Sequence, residues 1–442
     1  MINVRHLSAS TSEGGAARGA MRIHDALLQF GFRGGIQSSF QAMRGTTTSQ
    51  RCILGPPHNQ FSFWPAFRKN LMRLKRYRWR TNSSIFHSIA WPDTGLGRQL
   101  NNNYSKSHFN ILNLHWLGDD TISIEEIGRL KCPVIWTLHD QWPFCGAEHY
   151  VSDTIQLSSD SMSNLMHRYS LSYRQSSCPK DERKNDLNRK TWLRKFHAWK
   201  CKMLLVCPSQ WMLDCVSSSS LFAEWPKSVI PVPIDHEEWK PCGQLLSRDA
   251  LELPRDKSLI LFGALDLLDP RKGADLLITA LKILSSKSTE LADSAELVVF
   301  GGANEKNPIN VGFKVHYLGR LFDNVSLRMA YSACDVMVVP SRQEAFGQTA
   351  SEASACGLPV VAFAATGLLD VVQDFKTGRL ANPFDPLSLA QSIEWVLEDN
   401  NRRSLLSESA RQRAVSLWCY SRVSELYSDV YKACYSSHLA SS

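Results

Sequence analysis

The sequence predicts an α/β protein built from two doubly wound parallel-sheet domains, on three observations. Short apolar, β-branched runs alternate with stretches of helical spacing along most of the chain. The alternation pauses once, in the proline-rich, charged segment VIPVPIDHEEWKPCGQLLSRDALELPRDK. At 442 residues the chain is also longer than one hydrophobic core ordinarily serves.

In the first half the strand candidates are INVRHL (2–7), FNILNLHWL (109–117), VIWTLH (134–139) and MLLVCPS (203–209). In the second half they are LILFGAL (259–265), ELVVFGG (296–302), VHYLG (315–319), DVMVVP (335–340) and PVVAFA (359–364). We place an N-terminal domain at 1–230, a linker at 231–256 and a C-terminal domain at 257–442, with the terminal helices expected to pack back toward the N-terminal domain. Residues 151–200, Ser-rich and then strongly charged, read as an inserted loop running into a surface helix. Two such sheets facing each other would leave a cleft lined by the carboxyl ends of their strands, where ligands of doubly wound folds bind.

Composition narrows the partners. The formal net charge of +8 favours an anionic ligand or surface, while 43% hydrophobic and 21% charged residues mark a globular chain. No run approaches the ~18 apolar residues that span a bilayer, and MINVRHLSAS lacks the apolar segment of a secretion signal. The expected location is the cytoplasm. The twelve cysteines are scattered, with no Cys-x-x-Cys, and read as reduced, small core residues; the spread of Cys201, Cys207 and Cys215, and of Cys145 and Cys178, offers no zinc site. FRKNLMRLKRYRWR (67–80) is basic without an acid, and Trp64, Phe67, Leu71 and Leu74 share one helical face. Arg73, Lys75, Arg76 and Arg78 could dock it on an anionic membrane; a solvated face whose apolar stripe joins the core is an equal reading. Nucleic acid is not an expected partner.

The richest stretch is PSRQEAFGQTASEASACGLPVVAF (340–363). After a strand the chain turns through Ser341 and Arg342, and Gly347 opens a helix whose free N–H groups and positive dipole end suit a phosphate. Glu344 in the turn and Glu352 two helical turns on could hold sugar hydroxyls. The spacing alone is weak, since two glutamates at a fixed separation recur by chance.

In context, this stretch resembles the donor-site signature of the family 4 glycosyltransferases, retaining enzymes of the GT-B fold. AATGLLDVVQDFKTGRLANPFDP resembles the family's next loop, helix and strand, and SEGGAARGAMRIHDALLQFG its glycine-pair loop and first helix. ILNLHWL and WTLHDQWPFCGAEHY look similar to a subgroup associated with exopolysaccharide assembly of the colanic-acid type. The resemblance implies that Glu344 holds the donor sugar, Glu352 the ribose, and Lys272 of LLDPRKGADLL the pyrophosphate. Arg271 stands nearest to the family's usual arginine, whose own position is altered here. Gly14 and Gly15 match the loop near the donor phosphate, His139 a histidine beside the donor sugar, and Asp140 an acceptor-side group. Phe346 and Gly347 belong to the same donor signature. Gly367, with Thr366 and Leu368, matches a loop touching the donor, and Asp370 its carboxylate. No Asp-x-Asp metal motif occurs, so no cofactor is expected beyond the nucleoside diphosphate sugar as donor substrate. The implied function is retaining transfer of a hexose to a glycan or lipid-linked hydroxyl. The alternatives are a non-catalytic nucleotide-sugar-binding protein, a sugar-phosphate epimerase or a phosphorylase.

Overall fold

The structure is a computed structural model that describes residues 1–11, 14–45, 52–54, 87–91, 93–118, 120–151, 167–178, 186–264, 266, 269–287, 289–302 and 310–441. The basic segment 67–80, with Arg73, Lys75, Arg76 and Arg78, lies outside them, as does part of the segment read as an insertion. Two compact units emerge: the first from residues 1–152, 165–233 and 420–442, the second chiefly from 234–419.

The first unit carries β1 (Ile2–Ser10), β2 (Ile36–Arg44), β3 (Cys52–Leu54), β4 (Ile111–Leu114), β5 (Val134–Thr137), β6 (Leu204–Cys207) and β7 (Lys227–Val229). They form a parallel sheet in the order β3-β2-β1-β4-β5-β6-β7. The second carries β8 (Ser258–Ala264), β9 (Ala295–Gly301), β10 (Val315–Gly319), β11 (Val336–Val339), β12 (Val360–Phe363) and β13 (Gly378–Ala381), parallel in the order β10-β9-β8-β11-β12-β13. Both orders reverse direction once, between β1 and β4 and between β8 and β11. At such a switch point the loops leaving the two strands diverge and open a crevice for a ligand.

Strands β4, β5, β11 and β12 are buried at every residue, as parallel strands covered on both faces must be. These are the strands an apolar run reveals. The strands missing from the sequence reading, β2, β3 and β7, are short or polar: β2 (IQSSFQAMR) buries Ser38 and Gln41, and β3 and β7 have three residues each.

One face of the first sheet packs Val4, Ile111, Ile135 and Val206 against Ile23 and Leu27 of the helix Gly14–Phe30 and against Val423, Tyr427 and Tyr431 of the helix Tyr420–Ser441. Each such buried side chain contributes about 1.5–3 kcal/mol. The two tyrosines also find polar partners: Asn113 Nδ2 donates to Tyr431 Oη at 2.7 Å, and Thr137 Oγ1 lies 3.2 Å from Tyr427 Oη. In the second unit Ile260, Val299, Val338 and Val361 meet Leu277, Leu281 and Leu284 of the helix Ala274–Lys287 and Ile393 and Val396 of the helix Pro386–Leu397. Residues 234–256 include the helix Gln244–Ala250, whose buried Arg248 pairs with Asp335 at 2.8 Å and donates to the carbonyls of Pro254, Arg255 and Lys257.

All twelve cysteines are free. Cys201 is exposed and Cys52, Cys242, Cys419 and Cys434 are half-buried, so the expectation of core cysteines holds for only part of the set. Among the described residues no helix is long and apolar enough to cross a membrane.

Candidate active site

The switch point of the second unit gathers the donor-site candidates. Lys272 follows β8 in the short turn Pro270–Lys272, and Glu344 follows β11. Lys272 Nζ donates to Glu344 Oε1 at 2.6 Å, and Ser341 Oγ donates to the same oxygen at 2.9 Å. Gly273 makes this approach possible. Its φ is +66°, and a Cβ there would lie 1.9 Å from the carbonyl oxygen of Pro340, so only glycine lets the two loops touch. Arg342, a turn residue by sequence, locks the same loops: its N–H donates to Arg271 O at 2.7 Å, its Nη1 to Pro270 O at 2.8 Å, and its guanidinium holds both oxygens of Asp275.

Glu344 is also fixed from the loop after β12. Its N–H donates to Thr366 Oγ1 at 3.1 Å, and its carbonyl accepts from Gly367 N–H at 3.0 Å. Thr366 adopts φ +56°, a left-handed conformation that a β-branched residue rarely holds, and its environment must over-determine it. Gly347 (φ +99°) occupies the N-cap position of the helix Gln348–Ala355 and supplies no side-chain hydrogen bond to it. A Cβ on Gly347 would lie 2.7 Å from Leu368, and one on Gly367 2.5 Å from Ala345 O.

Several of the residues expected at the donor site are already engaged within the chain. Gly367 N–H is already bonded to Glu344, and Leu368 is fully enclosed, so neither offers the donor contact expected of its loop. Phe346 is buried edge-on against Trp418, a packing role. Arg271 pairs with Asp269 through Nε and Nη2 beside the site. Glu352 is fully buried and accepts from Tyr331 Oη at 2.9 Å instead of facing an open crevice. Asp370 lies within the short helix Leu368–Val371, and its carbonyl accepts from Arg413.

In the first unit Gly14 (φ +84°) and Gly15 open the helix that follows β1, and nothing lies within 4 Å of a Cβ built on Gly14. His139, half-buried, follows β5, and burial pushes its pKa down to about 4, against a smaller opposing pull from Asp140. Asp140 itself points inward. It accepts from Trp116 Nε1 at 2.7 Å and from Trp142 N–H at 3.0 Å, and lies 2.5 Å from His149 Nδ1. This carboxylate organises the loop 140–149 and is not an exposed acceptor contact. Among the described residues, no group of three or more His, Cys, Asp or Glu side chains converges as metal ligands.

Residues 246–413 match the family model described as glycosyl transferases group 1. This segment is similar to that family, and the chain has the GT-B fold. The family match takes in Lys272, Arg271, Glu344, Gly347, Glu352 and Gly367; Gly14, Gly15, His139 and Asp140 lie outside it. Curated relatives include D-inositol 3-phosphate glycosyltransferases of Salinispora tropica, 34% identical over 44% of this chain and 42% of that protein, and of Xylanimonas cellulosilytica, 37% identical over 41% and 46%. The chain thus spans less than half the length of these relatives, whose names point to inositol phosphate and not to exopolysaccharide. Across the whole chain the protein shares its fold with sucrose-phosphate synthase of Thermosynechococcus elongatus (TM-score 0.63, 17% identity, 99% of this chain and 100% of that one). The same holds for HepE of Anabaena in complex with UDP and glucose (TM-score 0.63, 15% identity, 98% and 100%).

Proposed function

We propose that the protein is a retaining glycosyltransferase that moves a hexose from a nucleoside diphosphate sugar to a hydroxyl of a glycan or lipid-linked acceptor in cell-envelope or exopolysaccharide synthesis. The observation that carries this reading is the Lys272–Glu344 pair at the carboxyl ends of the two switch-point strands. A cation and a carboxylate side by side, next to an uncapped helix end, match a ligand with a pyrophosphate at one end and sugar hydroxyls at the other. A structural neighbour that holds UDP and glucose supports a nucleotide sugar as donor.

In the proposed reaction the bond between the anomeric carbon and the phosphate oxygen breaks as the acceptor oxygen bonds to the same face of that carbon. The acceptor's proton passes to the departing phosphate oxygen. Negative charge grows on the pyrophosphate, where Lys272 and the helix start at Gly347 would stabilise it. Glu344, released from Lys272, turns to the sugar hydroxyls. Glu352 reaches the ribose only if its bond to Tyr331 is exchanged. A phosphorylated polyol as acceptor is a second reading, favoured by the names of the curated relatives.

Transfer and donor-hydrolysis assays over a panel of labelled nucleotide sugars, with Glu344→Ala beside the wild type, test the proposal. Wild-type turnover on at least one donor that the variant loses is the expected result; equal inactivity of both across the panel overturns it.

A further inference from the structure

Four imidazoles share the interior of the first unit. His6 lies on β1, His24 on the helix Gly14–Phe30, His115 just past β4 and His139 just past β5. Because β1, β4 and β5 are consecutive in the sheet, three of these rings come into line. His139 Nε2 lies 3.0 Å from His115 Nδ1, and His115 Nε2 lies 2.8 Å from His6 Nδ1. The His115 ring stacks on His6 with centroids 5.1 Å apart and tilts against His139 at 5.2 Å. His24 meets His6 edge-on at 5.9 Å, and its Nδ1 engages Ser38 Oγ at 2.7 Å. His6 and His115 are buried, and burial lowers the pKa of all three aligned rings, so the chain is neutral near pH 7.

Three neutral imidazoles in a row can carry their protons in two ways, all at Nδ1 or all at Nε2. The inner end decides between them. His6 Nε2 is enclosed with no hydrogen-bond partner. Burying an N–H there without an acceptor costs more than leaving a lone pair unused. The favoured order therefore has His6 Nδ1–H donating to His115 Nε2 and His115 Nδ1–H donating to His139 Nε2. The outer end of the chain is then the Nδ1–H of His139.

We propose that His6 and His115 are positioning residues that hold His139 in the single tautomer with its proton at Nδ1, so that it offers the substrate a hydrogen-bond donor of fixed direction. Which ring nitrogen of a histidine carries the proton is set by the bond its other nitrogen makes, and here that bond is relayed through two further rings. That the recipient is the donor sugar rests on the transferase reading above; the order of protons in the chain does not.

The test uses the full chain labelled with ¹⁵N-histidine, with His139→Gln identifying the His139 signals. Nitrogen shifts expected for wild type are those of a single tautomer protonated at Nδ1. His115→Leu and His6→Phe, the latter keeping a ring to stack on Phe40, should release His139 into a mixture of tautomers. His115→Asn, whose amide can still donate to His139 Nε2, should restore the single form. In transfer assays His115→Leu should lower kcat about tenfold or more with KM for the donor little changed, and His115→Asn should recover most of it. Protonation of wild-type His139 at Nε2, averaging in the wild type, or an unchanged tautomer in both folded variants overturns the proposal. So does a released tautomer with unaltered kcat. A wild type inactive on every donor overturns the transferase reading alone, and the nitrogen shifts still decide the proton order.

Discussion

Lys272 Nζ and Glu344 Oε1 lie 2.6 Å apart, so the cation expected to meet pyrophosphate and the carboxylate expected to meet the sugar occupy each other. Neither side chain is fully buried, and a partly exposed pair of this kind stabilises a fold by about 1 kcal/mol or less. Its arrangement therefore matters more to ligand binding than to folding.

Lys272→Met should leave the urea unfolding midpoint nearly unchanged while lowering kcat for transfer by about 10²–10³-fold, the usual cost of removing one group that stabilises charge in the transition state. Parallel unfolding curves and steady-state rates check both halves. A variant that unfolds easily yet turns over normally would assign Lys272 to structure.

Gly273→Ala should strike stability as well as activity. Its Cβ would lie 1.9 Å from Pro340 O in a left-handed backbone, so the loop must move away from β11. The expected loss is about 2 kcal/mol or more of stability. Activity should fall as well, since the same movement separates Lys272 from Glu344. Differential scanning calorimetry of wild type and variant measures the first effect.

Acid should destabilise the first unit earlier than carboxylate titration would. His139 falls from the usual 6.5 to about 4 in the folded chain, and His6 and His115 shift in the same direction through burial. Between about pH 6.5 and 4 the unfolded chain binds protons that the folded chain refuses. Stability is therefore complete above 6.5 and falls with pH at about 1.4 kcal/mol per pH unit for each such histidine. Urea unfolding from pH 7.5 to 5 should show this slope, and His115→Leu should make it shallower; an equal slope in both proteins would assign the acid sensitivity elsewhere.

Asp140→Ala should cost about 3 kcal/mol, because it leaves the N–H groups of Trp116 and Trp142 without their buried acceptor. KM for the acceptor, measured on the folded fraction, should not change. A selective rise in that KM with stability intact would return Asp140 to the substrate.

The sequence made the doubly wound pattern legible wherever strands are buried on both faces, as in VMVV of β11 or VVAF of β12. It concealed β2, because Ser38 and Gln41 are polar side chains that the fold buries and that periodicity reads as surface. At the donor site the residue types were legible but not their engagement: Glu344 and Lys272 meet, whereas Glu352, Phe346 and Leu368 are enclosed. Arg342 passed as a turn residue because its partners, Pro270 and Asp275, come from a strand crossover away. The imidazole chain had no local signature. His6 and His115 are 109 positions apart, and only the order β1-β4-β5 brings them together.

The helix Tyr420–Ser441 completes the first unit by covering a sheet whose opening strand is Ile2–Ser10. During synthesis, then, this sheet must wait for a helix made after the whole of the second unit, with the apolar surface beneath Val423, Tyr427 and Tyr431 uncovered while residues 234–419 are translated. Completion of the two units runs in the reverse of their order on the ribosome, and that interval is when a holding chaperone has something to bind.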